Sequence, residues 1–174
     1  MLRKLTIIFL SVLLYFNPAI SDDFKIVYLD VDKVITQSIA GKGAFKKLTN
    51  LNESNIKKYN EREQKIADKE KNIVKQKNIL SNEEFEKKVN VLRADIKKFK
   101  SDIKNSRNDI EKKRIEVSSK ILKVLNMILS EYSAKNSISL IIQKKNIVLG
   151  MTELDITNQM IELINTKIKT VKLN

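Results

Sequence analysis

The sequence predicts an α+β fold, in which a small β-containing body carries one long antiparallel hairpin of coiled-coil helices. Three observations support this prediction. Residues 42–134 contain no proline and only one glycine, Gly43, and apolar side chains recur in them at steps of seven. Short runs rich in β-branched residues flank this segment at both ends. The 174 residues are 32% charged and 6% aromatic, a composition typical of long helices.

The first segment, residues 1–21, has the pattern of a secretory signal peptide. Arg3 and Lys4 supply positive charge, and the apolar residues 5–16 follow them. Ala19 and Ser21 are small residues at the positions that signal peptidase recognises. A retained membrane anchor is the alternative, but a spanning helix needs about 20 apolar residues, more than this stretch offers. We therefore expect cleavage after Ser21 and export from the cytoplasm.

The body is predicted to comprise residues 22–41 and 135–174. Residues 24–31 (FKIVYLDV) are rich in β-branched and aromatic residues and predict a buried strand. Asp32 is then expected to cap a short helix. The segment Gly41-Lys42-Gly43 lacks the spacing of a phosphate-binding loop and is interpreted as a flexible joint between body and arm.

The C-terminal part of the body is predicted to contain a β-hairpin and a helix. Residues 138–142 (ISLII) and 146–149 (NIVL) favour two strands joined by a short link, and Gly150 closes the second. Residues 155–169 follow with helical periodicity, so an amphipathic helix capped by Asp155 is expected.

The arm is predicted to be a hairpin of two helices, residues 42–134, with its turn near residues 78–82. Ser81 and Glu84 match a capping box, in which each side chain accepts a hydrogen bond from a free backbone amide at a helix start. A new helix start inside the segment favours a hairpin over the alternative, one continuous helix of about twice the length. The heptad series are Phe45, Asn52, Tyr59, Ile66, Ile73 and Leu80 before the turn, and Val89, Ile96, Ile103, Ile110, Val117 and Val124 after it.

The two ends of the arm are expected to differ in polarity. The tip half is the more polar one and is expected to be free. The last turns of the returning helix are strongly apolar and are expected to be packed all round in the body. They contain Ile121, Leu122, Val124, Leu125, Met127, Ile128, Leu129 and Tyr132.

Charge is concentrated on the arm. The chain has a formal net charge of +13, from 34 Lys and Arg against 21 Asp and Glu. Residues 42–134 alone carry 24 basic and 14 acidic residues, a net charge of +10. Most of the basic residues are lysines, which suit a diffuse attractive field better than bidentate recognition of bases or phosphates. A solvated helix surface with a compositional excess of lysine is the alternative.

Several classes of function are disfavoured. The chain has no His and no Cys, the usual zinc ligands and common nucleophiles, so no catalytic, metal-binding or cofactor-binding residue is predicted and no enzyme is expected. A nucleic-acid partner is not expected either, because the chain is predicted to be exported. It also lacks an arginine-rich cluster, and its arm aromatics lie on the heptad seam.

The order of these elements resembles the Skp/OmpH family of periplasmic chaperones. The matching segments are residues 24–38 (FKIVYLDVDKVITQS) and 138–165 (ISLIIQKKNIVLGMTELDITNQMIELIN). The resemblance implies a homotrimer with a central β-barrel body and three arms, or tentacles, around a cavity. It also implies an ATP-independent holdase for unfolded outer-membrane β-barrel proteins in the periplasm. Lipopolysaccharide or another anionic membrane surface is a further candidate partner, to which no residue here is assigned.

A basic arm suits the function that the resemblance implies. Unfolded outer-membrane barrels expose apolar residues and strand edges and aggregate, and basic arms can attract them through many weak contacts. The alternative function is that of a structural coiled-coil envelope protein that binds anionic lipid or cell-wall surfaces.

Two sets of residues are expected to serve the chaperone function. The client-binding candidates are Lys57, Lys58, Lys65, Lys69, Lys97, Lys98, Lys104, Lys112 and Lys113. The expected core of the trimer body is Ile26, Val27, Leu29, Ile128, Leu129, Leu140, Ile142 and Val148.

Overall fold

The computed structural model describes residues 24–173, so the predicted signal peptide lies outside the described part of the chain. Two long helices and a two-stranded sheet dominate the fold, as the predicted α+β class requires. None of the helices within residues 24–173 is long and apolar enough to cross a bilayer. The elements are β1 (Lys25–Leu29), α1 (Val31–Gln37), α2 (Ile39–Lys75), α3 (Asn82–Lys135), β2 (Ile138–Gln143) and α4 (Thr157–Lys167).

The helices α2 and α3 form the antiparallel hairpin that the sequence predicts. Cross-helix bonds join Asn55 to Ser106 and Lys69 to Asp95, so residues later in α2 meet residues earlier in α3. At 1.5 Å per residue, α2 is about 55 Å long and α3 about 80 Å long. The longer α3 therefore extends past the start of α2 and brings the chain back to the body.

The turn between these helices ends in the predicted capping box. The Ser81 hydroxyl accepts a hydrogen bond from the Glu84 backbone N–H, and the Ser81 N–H donates to the Glu84 carboxylate at 3.1 Å. The Ser81 hydroxyl also donates to that carboxylate, and this bond is the main reason that the pKa of Glu84 lies below its usual value. The chain therefore reverses just before the helix start that the capping box predicts.

Strands from the two ends of the chain form one parallel sheet. Val27 pairs with Ile141 and Tyr28 with Ile142, and the register shifts once near Lys25. The predicted second strand at residues 146–149 is wrong. Residues 144–146 form a 3-10 turn instead, and the chain then folds back over the ring of Tyr28.

Residues 146–149 do not form a strand because the segment that follows them pairs with the free edge of β1. The Tyr28 carbonyl accepts a hydrogen bond from the Ile156 N–H at 2.9 Å, and Tyr28 forms an isolated parallel bridge with Asp155. The segment before α4 therefore lies against the edge of β1 and not against β2. Residues 146–149 do not pair with β2 in this arrangement, and Val148 and Leu149 are left exposed.

Two predicted helix caps are displaced by a residue or two. Asp30, not Asp32, caps α1, because its side chain accepts the Lys33 N–H at 2.8 Å from an extended backbone. Asp32 lies in the first turn, where a negative charge suits the helix dipole. The last helix begins at Thr157, and Asp155 accepts the Thr157 N–H at 3.0 Å from just outside it.

The predicted flexible joint at Gly41-Lys42-Gly43 is instead an ordered part of α2. Ser38 caps this helix by accepting the Gly41 N–H at 3.1 Å, so the helix already starts at Ile39. A Cβ atom at Gly41 would clash with the carbonyl oxygen of Ile35 in α1, whereas one at Gly43 would meet nothing within 4 Å. Gly41 therefore allows the close approach of α1 to α2, and no hinge is needed.

The core of the body lies where α1, α4 and the roots of the two long helices meet. Its most deeply buried apolar side chains are Val34, Leu48, Val117, Ile121, Leu125, Met160 and Ile164. The end of α3 is not packed all round within one chain, contrary to the expectation, because Leu122 and Met127 remain exposed. α2 and α4 cover one side of this helix and leave the other side open.

Candidate functional site

The arm is joined at its middle by a cluster of four side chains, which we call the mid-arm cluster: Tyr59, Arg62, Phe99 and Asp102. Arg62 donates to the Asp102 carboxylate at 2.6 Å, and its guanidinium lies 5.5 Å from the centre of the Phe99 ring. Tyr59 meets the same ring edge-on, with ring centres 6.2 Å apart. Hydrogen bonds from Arg62 and then from Lys98 hold the pKa of Asp102 below its usual value. Polar and aromatic contacts therefore share this part of the interface between α2 and α3.

Further polar pairs join the two helices on both sides of the mid-arm cluster. The Asn55 amide donates to the Ser106 hydroxyl at 2.9 Å on the side of the body. Towards the tip, Lys69 donates to Asp95 at 2.7 Å, and this bond lowers the pKa of the Asp95 carboxyl. Exposed pairs of this kind contribute little free energy, because water can replace them. The polar pairs between the two helices can therefore exchange at low cost, beside the buried apolar side chains of Leu92, Phe99 and Ile110.

The predicted client-binding lysines are mostly exposed, and they divide into two groups. Lys69, Lys98 and Lys113 form ion pairs with Asp95, Asp102 and Asp109. Two of these pairs, together with Lys120–Glu116, have the helical i,i+4 spacing that the sequence indicates. The other group has no ion pair or hydrogen bond within residues 24–173, so its charge is available to a partner. It consists of Lys57, Lys58, Lys65, Lys97, Lys104 and Lys112.

Near the tip, α2 and α3 enclose an open, mostly apolar groove of about 530 Å³. Ile73, Val91 and Leu92 supply its apolar surface, and lysines at positions 69, 87 and 88 form part of its rim. We call this feature the tip groove. It is completed by Asn72, Gln76, Glu84 and Asp95.

The tip groove was missed by the sequence analysis, which expected a polar tip. Val74, Ile79 and Val91 are 63%, 82% and 57% exposed, so apolar surface does reach solvent there. A signal was present in the apolar pairs 73–74 and 91–92, which lie within α2 and α3. Neighbouring residues on a helix point about 100° apart, so both members of such a pair cannot face one seam.

The predicted core residues of the trimer body occupy different environments in the single chain. Val27, Leu29 and Ile128 are buried in the protomer's own core, and positions 129 and 142 are half-buried. Ile26, Leu140 and Val148 are exposed. These last three therefore form apolar surface that a second chain could cover.

The exposed segment around Val148 is held in place by contacts around Tyr28. The Tyr28 hydroxyl donates to the Met151 carbonyl at 3.1 Å, and the Lys144 ammonium lies 5.7 Å from the ring centre. Lys144 also pairs with Asp155 at 2.7 Å, and this hydrogen bond raises the pKa of Lys144. Burial opposes ionisation of Asp155, but hydrogen bonds from Lys144 and Thr157 outweigh it and lower the pKa of its carboxyl.

The described residues contain no cluster of acidic side chains that could hold a metal ion. Within residues 24–173, no set of three or more carboxylates lies close enough together to bind one. Every buried side-chain nitrogen or oxygen in this part of the chain also has a hydrogen-bond partner.

The comparisons with known proteins agree with this arrangement. A family profile described as outer membrane protein (OmpH-like) matches residues 25–164. No curated protein sequence matches the chain. A crystal structure of a candidate outer membrane chaperone (OmpH-like) from Caulobacter crescentus has a similar fold, with a TM-score of 0.78. Its sequence is 14% identical, and the alignment covers 92% of this chain and 95% of the other.

Proposed function

The chain belongs to the OmpH-like family of outer membrane proteins, and from this premise we propose that it is an ATP-independent periplasmic holdase. Family membership supports a chaperone role in general and suggests a periplasmic location. The proposed clients are unfolded outer-membrane β-barrel proteins. The protein binds them between its arms and prevents their aggregation, and it performs no chemical reaction.

The observation that carries this proposal is the set of exposed, unpaired lysines along the arm. Six of the nine candidate lysines have no partner within the described chain, and they lie on both helices. Together with the net charge of +10 on residues 42–134, they produce a positive field along an arm about 55 Å long. Such a field attracts acidic and mixed-charge segments without requiring one defined pose.

The construction of the arm supports reversible binding. The polar pairs between α2 and α3, such as Arg62–Asp102 and Lys69–Asp95, are partly exposed to water. Breaking them costs little, so the two helices of an arm can shift against each other and the arm can adapt its shape to clients of different size. Many weak contacts also allow release without nucleotide hydrolysis, since no single contact dominates the affinity.

A homotrimer is the proposed assembly, with three bodies combined into one barrel and three arms around a cavity. Exposed apolar residues on the body support it, namely Ile26, Leu140 and Val148 near the sheet and Leu122 and Met127 on α3. Apolar surface of this kind on a small body is typical of a protein interface. Lipopolysaccharide or an anionic membrane surface is a further proposed partner, to which no particular residue is assigned.

The test is suppression of aggregation. An outer-membrane barrel protein unfolded in urea is diluted into buffer with excess chaperone, and light scattering is followed. We expect scattering to fall in the presence of the protein and to recover as salt is raised, because salt screens exposed charges. Unchanged scattering at low salt would contradict the proposal. Binding to anionic vesicles with no effect on unfolded clients would favour the structural envelope protein instead.

A matched pair of variants tests the contribution of the arm lysines. One variant replaces Lys57, Lys58, Lys65, Lys97, Lys104 and Lys112 with Gln. The control removes the same charge from unpaired lysines of the body and of its junction with the arm, at Lys33, Lys42, Lys135, Lys145, Lys169 and Lys172. Only the arm variant is expected to lose suppression, and an equal loss in both would show that net charge alone matters.

A further inference from the structure

We propose that the tip groove is a binding subsite for an apolar client side chain that lies beside an acidic residue in an extended segment. This inference rests on the proposed holdase function and names a particular place and chemistry for part of the capture. It assigns the groove a role distinct from the diffuse field of the arm lysines. The occupant is an acidic peptide segment with exposed apolar side chains.

The apolar half of this recognition comes from the floor of the groove. Leu92 is almost fully buried, Ile73 is half-buried, and Val91 is 57% exposed, so the floor passes from the arm interface to open solvent. The volume of about 530 Å³ lies in the range of about 300–1,000 Å³ that is usual for ligand pockets. The groove is open along one side, which suits the side chain of a passing peptide.

The acidic half follows from the charges on the rim. Three lysines, at positions 69, 87 and 88, stand against two acids, Asp95 and Glu84, so the rim has a net charge of +1. Asp95 is paired with Lys69 at 2.7 Å, and Glu84 accepts hydrogen bonds from the neutral Ser81. Lys88 donates to the neutral amide oxygen of Gln76 at 2.9 Å.

The remaining rim lysine, Lys87, has no ion pair or hydrogen bond within residues 24–173. The charge left over at the rim is therefore positive, and it is complementary to a carboxylate next to the bound apolar side chain.

The test uses the full mature chain and a short fluorescent peptide of alternating Phe and Ser with one central Asp. A twin peptide carries Asn in place of Asp. Binding is followed by fluorescence anisotropy at low salt. We expect the Val91→Ser variant to bind the Asp peptide about fivefold more weakly, because apolar contact in the groove is lost. The matched control is Val74→Ser on α2, which removes a valine of similar exposure, 63% against 57%, that does not line the groove.

The charge at the rim of the groove is tested with a second pair of variants. Lys87→Gln is expected to weaken binding of the Asp peptide about threefold and to leave the Asn peptide unchanged, whereas Lys71→Gln, away from the groove, changes neither. Equal affinities for the Val91 and Val74 variants, or no binding of the Asp peptide to the parent protein, would overturn the subsite.

Aggregation of a urea-unfolded barrel protein is measured alongside with the same samples. The parent protein could suppress aggregation while the Val91→Ser and Val74→Ser variants bind the peptide equally well. That outcome would refute the binding role of the tip groove and leave the holdase function standing. Failure of the parent to suppress aggregation would refute the holdase function, and the peptide measurements would still decide the groove.

Discussion

Arg62 on α2 and Asp102 on α3 form an ion pair across the arm at 2.6 Å, while the same guanidinium lies over the ring of Phe99. One side chain thus connects the polar and the aromatic contacts between the two helices. Its removal eliminates the ion pair with Asp102 and the cation–π contact with Phe99 together, while the edge-on contact between Tyr59 and Phe99 remains.

Replacing Arg62 with Ala is expected to loosen the middle of the arm. Amide hydrogen exchange in the surrounding peptides of α2 and α3 should become about two- to fivefold faster, because an ion pair and a cation–π contact are lost together. Exchange in the body should not change. Lys65→Ala is the control, since this lysine is exposed and has no ion pair or hydrogen bond within residues 24–173. Similar exchange in the two variants would show that the ion pair does not hold the arm.

Acid is expected to open the arm. The hydrogen bonds from Arg62 and Lys69 lower the pKa values of Asp102 and Asp95 in the folded arm below the usual 3.8. Their stabilising contribution is therefore complete above that pH and is lost as the pH falls through the lowered values. The chain has no cysteine, so spin labels at Lys65→Cys and Lys97→Cys can report the separation of α2 and α3. The distance distribution should broaden only below about pH 4.

The double variant Asp95→Asn, Asp102→Asn provides the comparison for this titration. It should show a broadened distribution already at neutral pH and little further change with acid. If the parent arm opened between pH 5 and 7, groups other than these two carboxylates would be responsible.

Two glycines only two residues apart in α2 are expected to respond in opposite ways to alanine. Gly41→Ala should lower the free energy of unfolding by about 1–3 kcal/mol, because the new methyl group clashes with the Ile35 carbonyl oxygen. Gly43→Ala should raise it by about 0.5–1 kcal/mol, since alanine favours the helix and has free space. Denaturant unfolding at one protomer concentration measures both. Equal effects would contradict the close approach of α1 to α2.

A charge on the exposed body segment is expected to prevent assembly. Val148→Asp places a carboxylate on apolar surface that we assign to the trimer interface, and an uncompensated charge in such an interface is costly. Light scattering on a sizing column should show a mass below that of the parent. Ile79→Asp at the arm tip, where the side chain is also exposed, should leave the mass unchanged. A parent that is itself monomeric would rule out the proposed trimer.

Local signals predicted the arm well because its information lies within a few residues. The capping box of Ser81 and Glu84 and the seven-residue steps are sufficient to define two helices and a turn. The partners across the hairpin could not be predicted in this way. Whether Arg62 meets Asp102 or another acid depends on the relative shift of α2 and α3, which no short-range pattern specifies.

The body was predicted less well, because its details depend on contacts between distant segments. Residues 146–149 have strand-forming composition, but the hydrogen bond from Ile156 to Tyr28 takes the following segment to β1. Gly41 was interpreted as a hinge because glycine is flexible in isolation. The carbonyl of Ile35 that actually requires a glycine there belongs to another helix.

The parallel pairing of β1 with β2 has a consequence for the order of folding. Lys25 donates to the carbonyl of Asn136, 111 residues later in the chain, and β1 pairs with β2, so the sheet cannot form until the chain beyond the arm is present. The hairpin, whose contacts are local near its turn, can close first and bring the strands together, which reduces the entropic cost of closing so long a loop. A slow step that depends on completion of the C-terminal segment is therefore expected in refolding, and assembly of the proposed trimer would follow it.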